Sequence, residues 1–224
     1  EAIVGEAHSR GALVRAHVFE PYLIEDIVLP AGVDVIEHQS LPILSSEEES
    51  RVLASDHPVA LLFDSIAPEY EGLLAELVER GVIMVPTLDG GIGTLYRKPE
   101  RSRVEEIVVD INLEATRRFY ALGGILALGN DYGGVPDVEA GMPLAEMELL
   151  QAAGLTPMEV MVTSTQHAAQ VCGKGDELGS LEAGKLADII IVDGDPLADL
   201  TAMSRVTAVI RGGEVAFEKA MDRS

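Results

Sequence analysis

The chain has 224 residues, 47% of them hydrophobic, enough for one good-sized domain or for a domain with a smaller appendage. Its 16 Lys and Arg face 38 Asp and Glu, a net charge of −22, so phosphate backbones and anionic lipid are repelled and neither nucleic acid nor membrane is an expected partner. A single cysteine, Cys172, forbids an internal disulfide and a Cys-based zinc spacing, and no apolar run reaches the roughly 18 residues of a membrane span, so a cytoplasmic protein is expected.

The elements alternate. Glu1 to Arg10 has helical apolar spacing and stops at Gly11. It reads as a helix already under way, with the expectation that a segment precedes it. Residues 12–18, ALVRAHV, form a β-rich run. Glu20 to Leu29 is helical with Pro21 in its first turn, and VDVIEH (33–38) is the next strand. Ser46 is the expected cap of a further helix, with Glu49 completing a capping box. PVALLF (58–63) is an apolar run whose form its periodicity does not decide. Pro68 to Arg80 is helical, VIMVPTL (82–88) is a strand, and DGGIGTLYRK reads as a Gly-rich loop.

A long helix from Arg103 to Leu122 precedes the strand ILALGND (125–131). Helices then follow over Pro143 to Ala153 and Pro157 to Val171, the second capped by Thr156 with Glu159. After Gly173 the chain turns β-rich at 187–195, 206–213 and 214–217. Domains are therefore expected at 1–172 and 173–224. Strands alternating with helices predict an α/β fold with a parallel sheet and crossover helices, in which chemistry gathers at the C-terminal strand edges.

Three such edges carry metal-capable side chains. His17 ends the first strand and His38 the second, 21 residues or about one βα unit apart, so both can project into one space. A pair of buried, hydrogen-bonded histidines satisfies the same spacing. Asp131 ends the fourth strand, where a carboxylate can ligate a metal and hold a proton, or can cap a turn. Tyr96 and Arg97 follow the Gly-rich segment, either as substrate contacts or as a solvated loop. Glu37 is expected in a structural ion pair, and His8, His57 and His167 in surface or packing roles.

Residues 179–200, GSLEAGKLADIIIVDGDPLADL, are similar to the closing signature of the amidohydrolase superfamily, with Gly179, Gly184, Lys185, Ala187, Asp188, Asp195, Pro196 and Leu197 in register. VRAHV, AGVDVIEHQS, VPTL and LGNDYG resemble barrel strands five to eight of that superfamily, in the subgroup of imidazolonepropionase-like proteins and metal-dependent Xaa-Pro dipeptidases. The resemblance implies the C-terminal half (strands five to eight) of a TIM-type (β/α)8 barrel plus the C-terminal strands of a small β-sandwich. It implies His17, His38 and Asp131 as metal residues, with Asp131 also handling the proton, and a divalent metal, zinc first, as one or two ions.

The activity implied is hydrolysis of an amide-type C–N bond in a dipeptide, an N-acyl amino acid or a similar small substrate. Specificity would reside in the loops at 39–45, 89–99 and 132–142. Three departures stand out. His17-Val18-Phe19-Glu20 lacks the second histidine usual after strand five, Asn130 replaces the usual Thr or Ser before Asp131, and residues 44–66 are an extra segment. The family's strand-one His-x-His pair and strand-four bridging ligand have no counterpart here. A chain or segment supplying the N-terminal half, or an oligomer, is therefore the expected partner. The alternative is a non-catalytic half-barrel subunit whose metal residues are relics.

Overall fold

The computed structural model describes residues 1–133 and 141–220. Three short strands, β1 (Arg15–His17), β2 (Val35–Glu37) and β3 (Ile83–Val85), form a parallel sheet in that order. The register sets Arg15 beside Val35 and Val35 beside Ile83, so side chains of one parity share a face. Ile36 and Met84 point to the helix-covered face, where they join Leu126, Leu74, Phe119 and Leu149 in the main core. Val35, Val85 and Ala127 occupy the other face, in a much smaller cluster closed by Val171.

The crossover helices are α1 (Ala2–Ser9), α2 (residues 21–31), α3 (Ser46–Ala54), α4 (residues 58–66), α5 (Glu69–Glu79), α6 (residues 89–96), α7 (Arg103–Ala121), α8 (Leu144–Ala152) and α9 (residues 157–171). Alternate Leu73, Leu74 and Leu77 on α5, and Ile107, Ala115 and Phe119 on α7, bury one stripe each. α7 starts at Ser102, which accepts the Glu105 amide while the Glu105 carboxylate returns to the Ser102 amide.

Three expectations are corrected, and the run left open at 58–63 takes a form. The α3 cap is Ser45 with Glu48, one residue earlier than Ser46 with Glu49, because Ser45 has the extended backbone a cap needs. The apolar run at 58–63 is helical: Pro58 opens it with φ preset, and Leu62 and Phe63 are buried by it. The Gly-rich stretch from Asp89 is a helix, α6, rather than a loop, because a buried carboxylate receives the amides at its start, as described below. Strand 125–131 shrinks to a bridge between Leu126 and Met84. Beyond it the Leu128 amide donates to the Thr163 carbonyl of α9 at 3.1 Å, so the chain leaves the ladder for a helix.

The tail forms an antiparallel sheet of β4 (Ile189–Val192), β5 (Val206–Arg211) and β6 (Glu214–Glu218). Here the signature residues have structural roles. Lys185 Nζ donates to the carbonyls of Gly175 (2.7 Å) and Leu178 (3.3 Å) and to Ser180 Oγ (2.7 Å), gathering one loop. Asp188 accepts the Gly212 amide at 2.7 Å and so pins the β5–β6 turn to β4. Leu200 and Met203 bury into the main core. Among the described residues no helix is long and apolar enough to cross a membrane.

Candidate functional site

The C-terminal edge of the sheet is where backbone strain collects. Among the described residues, three that are not glycine have left-handed φ: His38 (69°), Thr87 (50°) and Asp131 (57°), one at the end of each of three successive strand segments. For a β-branched residue such as Thr87 this conformation costs about 1–3 kcal/mol and persists only where the surroundings hold it. His38 is held by its own amide, which donates to the Val85 carbonyl at 2.9 Å and extends the β2–β3 ladder by one bond. The reversed φ then turns its side chain over the strand ends.

His17 and His38 meet there, as their spacing predicts. His17 Nδ1 lies 2.9 Å from His38 Nε2, with ring centroids 4.9 Å apart. His38 Nδ1 lies 2.7 Å from Thr87 Oγ1, and the Thr87 hydroxyl donates to the Pro86 carbonyl at 2.8 Å. With its only proton committed, Thr87 Oγ1 accepts from His38 Nδ1–H, and the network assigns the lone pair of His38 to Nε2. Phe19 stacks on the His38 ring, 4.9 Å between centroids at 15°, and takes the place of the histidine usual in that stretch.

Asp131 lies across a cleft of about 350 Å³ lined by Phe19, His38, Gln39, Thr87, Asn112 and Asp131. Gly129, two residues earlier, faces Val85: a Cβ there would sit 2.6 Å from Val85 Cγ1, so only glycine lets this segment approach β3. The cleft wall is preorganised. Gln39 Nε2 donates to Asn112 Oδ1 (2.7 Å), and Thr116 Oγ1 donates to Gln39 Oε1 (2.7 Å). Buried Ser40 donates to the Val18 carbonyl at 2.8 Å, and the Tyr70 hydroxyl donates to the Ser40 carbonyl at 2.6 Å, fixing the turn after β2. Burial raises the Tyr70 pKa, which keeps that hydroxyl a donor.

Tyr96 and Arg97 sit on α6. Arg97 Nη1 pairs with Asp89 Oδ1 at 2.5 Å and lines a neighbouring cleft with Asn130 and Glu148. The Tyr96 carbonyl accepts from Arg101 at 2.6 Å, and the Arg101 guanidinium lies 5.8 Å from the Tyr96 ring centre. Glu37 pairs with Arg15 at 3.2 Å, the expected structural bridge. His8 pairs with Asp34 at 2.9 Å, on the far side of β2 from the cleft. Of the loop 132–142, residues 134–140 lie outside the described residues.

Sequence reasoning missed Thr87 and Glu146. Glu146, in the first turn of α8, is fully buried and accepts the Leu88 amide (3.0 Å, Oε1) and the Asp89 amide (2.6 Å, Oε2). Burial pushes its pKa up to about 8, against the two amide bonds, and neighbouring Asp89 adds to the rise. In sequence it resembles any acid in a helix first turn. Thr87 has a signal, a hydroxyl at a strand end after Pro86, but its direction follows from a backbone angle that sequence does not show.

The donor set fits part of a cation site. Two imidazoles meet, one with its tautomer set by an outer hydroxyl, which is how ligating histidines are held, and Asp131 lines the same cleft as His38. Among the described residues no three His, Cys, Asp or Glu side chains converge on one point, so a complete ligand set needs more than these. Thr87→Val keeps the shape and removes the acceptor. It is expected to lower zinc affinity about 10- to 100-fold, read by competitive titration with a chromogenic chelator, and unchanged affinity would deny Thr87 this role.

Imidazolonepropionase of Symbiobacterium thermophilum is 40% identical over 76 residues, covering 34% of this chain and 18% of that protein. Imidazolonepropionase of Syntrophobacter fumaroxidans is 31% identical over 121 residues, covering 49% and 28%. The crystal structure of a putative prolidase from Bifidobacterium longum superposes with a TM-score of 0.67 at 28% identity, over 100% of this chain and 51% of that one. A Xaa-Pro dipeptidase with bound methionine superposes at 0.68 and 24% identity, over 97% and 48%. The chain thus spans about half the length of these solved structures, and its alignments cover under a third of these curated relatives. The profile of the amidohydrolase family matches residues 1–216, and the chain belongs to that family.

Proposed function

We propose that this chain carries the C-terminal part of a metal-dependent hydrolase acting on amide-type C–N bonds of a dipeptide, an N-acyl amino acid or a similar small substrate. The observation that supports it most is the pair of strand-end imidazoles, with Thr87 orienting His38, which shares its cleft with Asp131. On this reading residues 1–172 form strands five to eight of a (β/α)8 barrel, and 173–224 form part of a β-sandwich. A chain or segment with strands one to four completes the barrel, and its ligands complete the site. A divalent cation, zinc first, when held by His17, His38 and Asp131, supplies carbonyl polarisation and makes water a competent nucleophile near neutral pH.

The chain's own residues do the rest. Asp131 accepts a proton from the attacking water as the C–O bond forms, and returns it to the departing nitrogen as the C–N bond breaks. Thr87 keeps the Nε2 lone pair of His38 available, and Phe19 covers one face of that ring against solvent. Arg97 lines the neighbouring cleft, and it and Tyr96 before it contact the substrate's far end. The acidic surface disfavours polyanionic substrates.

The test is a hydrolysis panel. The completed protein, loaded with zinc, is assayed on Xaa-Pro dipeptides, other dipeptides, N-acyl amino acids and cyclic amides. Turnover of one class that is abolished by chelation and restored by zinc is expected. No turnover of any class by a fully zinc-loaded protein would favour a non-catalytic subunit.

A further inference from the structure

We propose that Glu146 is a positioning residue for the site: its carboxylate clamps the turn after β3, which holds strained Thr87 where its hydroxyl receives His38 Nδ1–H. Glu146 is 58 residues from Leu88 in sequence and reaches the cleft wall through backbone amides alone among its hydrogen bonds to the described residues. Its oxygens accept the amides of Leu88 and Asp89, the two residues directly after Thr87. Those amides are unpaired donors at the start of α6, where nothing within the helix can receive them. A carboxylate there also meets the positive end of the helix dipole.

The strain argument makes the clamp necessary. Thr87 at φ 50° has the costliest kind of backbone for its side chain, and a free turn would relax it to a negative φ. Relaxation would swing Oγ1 away from His38 Nδ1. On the upstream side Pro86 has no amide to donate, and the nearest backbone bond, from the His38 amide, ends one residue further back at the Val85 carbonyl. The clamp is therefore downstream, and Glu146 supplies it. The Asp89–Arg97 pair spans α6, and Gly93 leaves room for it, since a side chain there would collide with the Asp89 carboxylate. Burying a carboxyl with no side-chain partner is costly, and both of its oxygens are spent on this one turn.

This role deepens the proposed hydrolysis and rests on it, but its test reads His38 directly and needs no turnover. Long-range 1H–15N NMR of the full chain, at about pH 8.5 where free imidazole is neutral, distinguishes the Nδ1–H from the Nε2–H form. Wild type is expected to show His38 as the Nδ1–H form. Glu146→Gln keeps the volume and one acceptor, and is expected to shift His38 partly to the Nε2–H form. Glu146→Ala is expected to shift it further, and if that variant fails to fold, Glu146→Gln alone decides. Leu150→Ala, a destabilising cavity one turn further along the same helix that leaves the Glu146 carboxylate in place, is expected to leave the tautomer unchanged. A wild-type His38 signal in folded Glu146→Gln, or an equal shift in Leu150→Ala, overturns the assignment.

Discussion

Replacing His38 with alanine in the completed, zinc-loaded enzyme is expected to lower kcat/KM by at least about a thousandfold, since carbonyl polarisation contributes several kcal/mol and each 1.36 kcal/mol is a factor of ten. Its imidazole is the most constrained group of the site, fixed by the Val85 carbonyl through the backbone, by Thr87 at Nδ1 and by Phe19 on its face. Asp131→Asn keeps the size and removes the base, and is expected to cost about 10²- to 10⁴-fold in kcat with less change in KM. Steady-state kinetics alongside elemental analysis separates the two: the histidine variant loses metal, the asparagine variant retains most of it. Full activity in both would leave these residues as relics and the chain as a structural subunit.

Joining the chain to a segment that carries barrel strands one to four is expected to raise turnover from near background to the full rate, a gain of at least about a thousandfold on the same arithmetic. The sheet is the reason. Parallel sheets are covered on both faces; here helices bury one, and on the other Val171 at the end of α9 closes a small cluster. The other face presents exposed Arg15 and His17 beside half-buried Glu37 and Ile83. The outer edge of β1 has no strand partner among the described residues, and such an edge pairs readily with another strand. Size-exclusion chromatography with light scattering reads the association, and the Tm is expected to rise with it through mass action. A monomeric chain with the same kcat/KM as the mixture would refute completion in trans.

How much of this was legible in the sequence differs by element. His17 and His38 were, because alternation of strand and helix places strand-end residues a fixed βα unit apart, and the structure sets them 2.9 Å from each other. The caps at Ser102 and Thr156 follow from side chains three residues apart that bond locally. The α3 cap slipped by one residue because Ser45 and Ser46 are chemically equivalent and only backbone conformation separates them. Asp131 was placed on a full strand, yet among the described residues strand 125–131 is reduced to a bridge at Leu126 before the Leu128 amide turns to α9.

What the sequence by itself determined was the βα order, the capped helices, the family signature and the two histidines, all set by patterns within a few residues or within one repeating unit. Only the tertiary structure decided that a run of glycines after Leu88 would coil into α6, against a propensity cost of about 1 kcal/mol for each glycine. It alone decided that Thr87 would take a left-handed backbone and orient His38. Both outcomes depend on Glu146, a carboxylate 58 residues from Leu88 whose bonds to two amides form only once the core has closed around it.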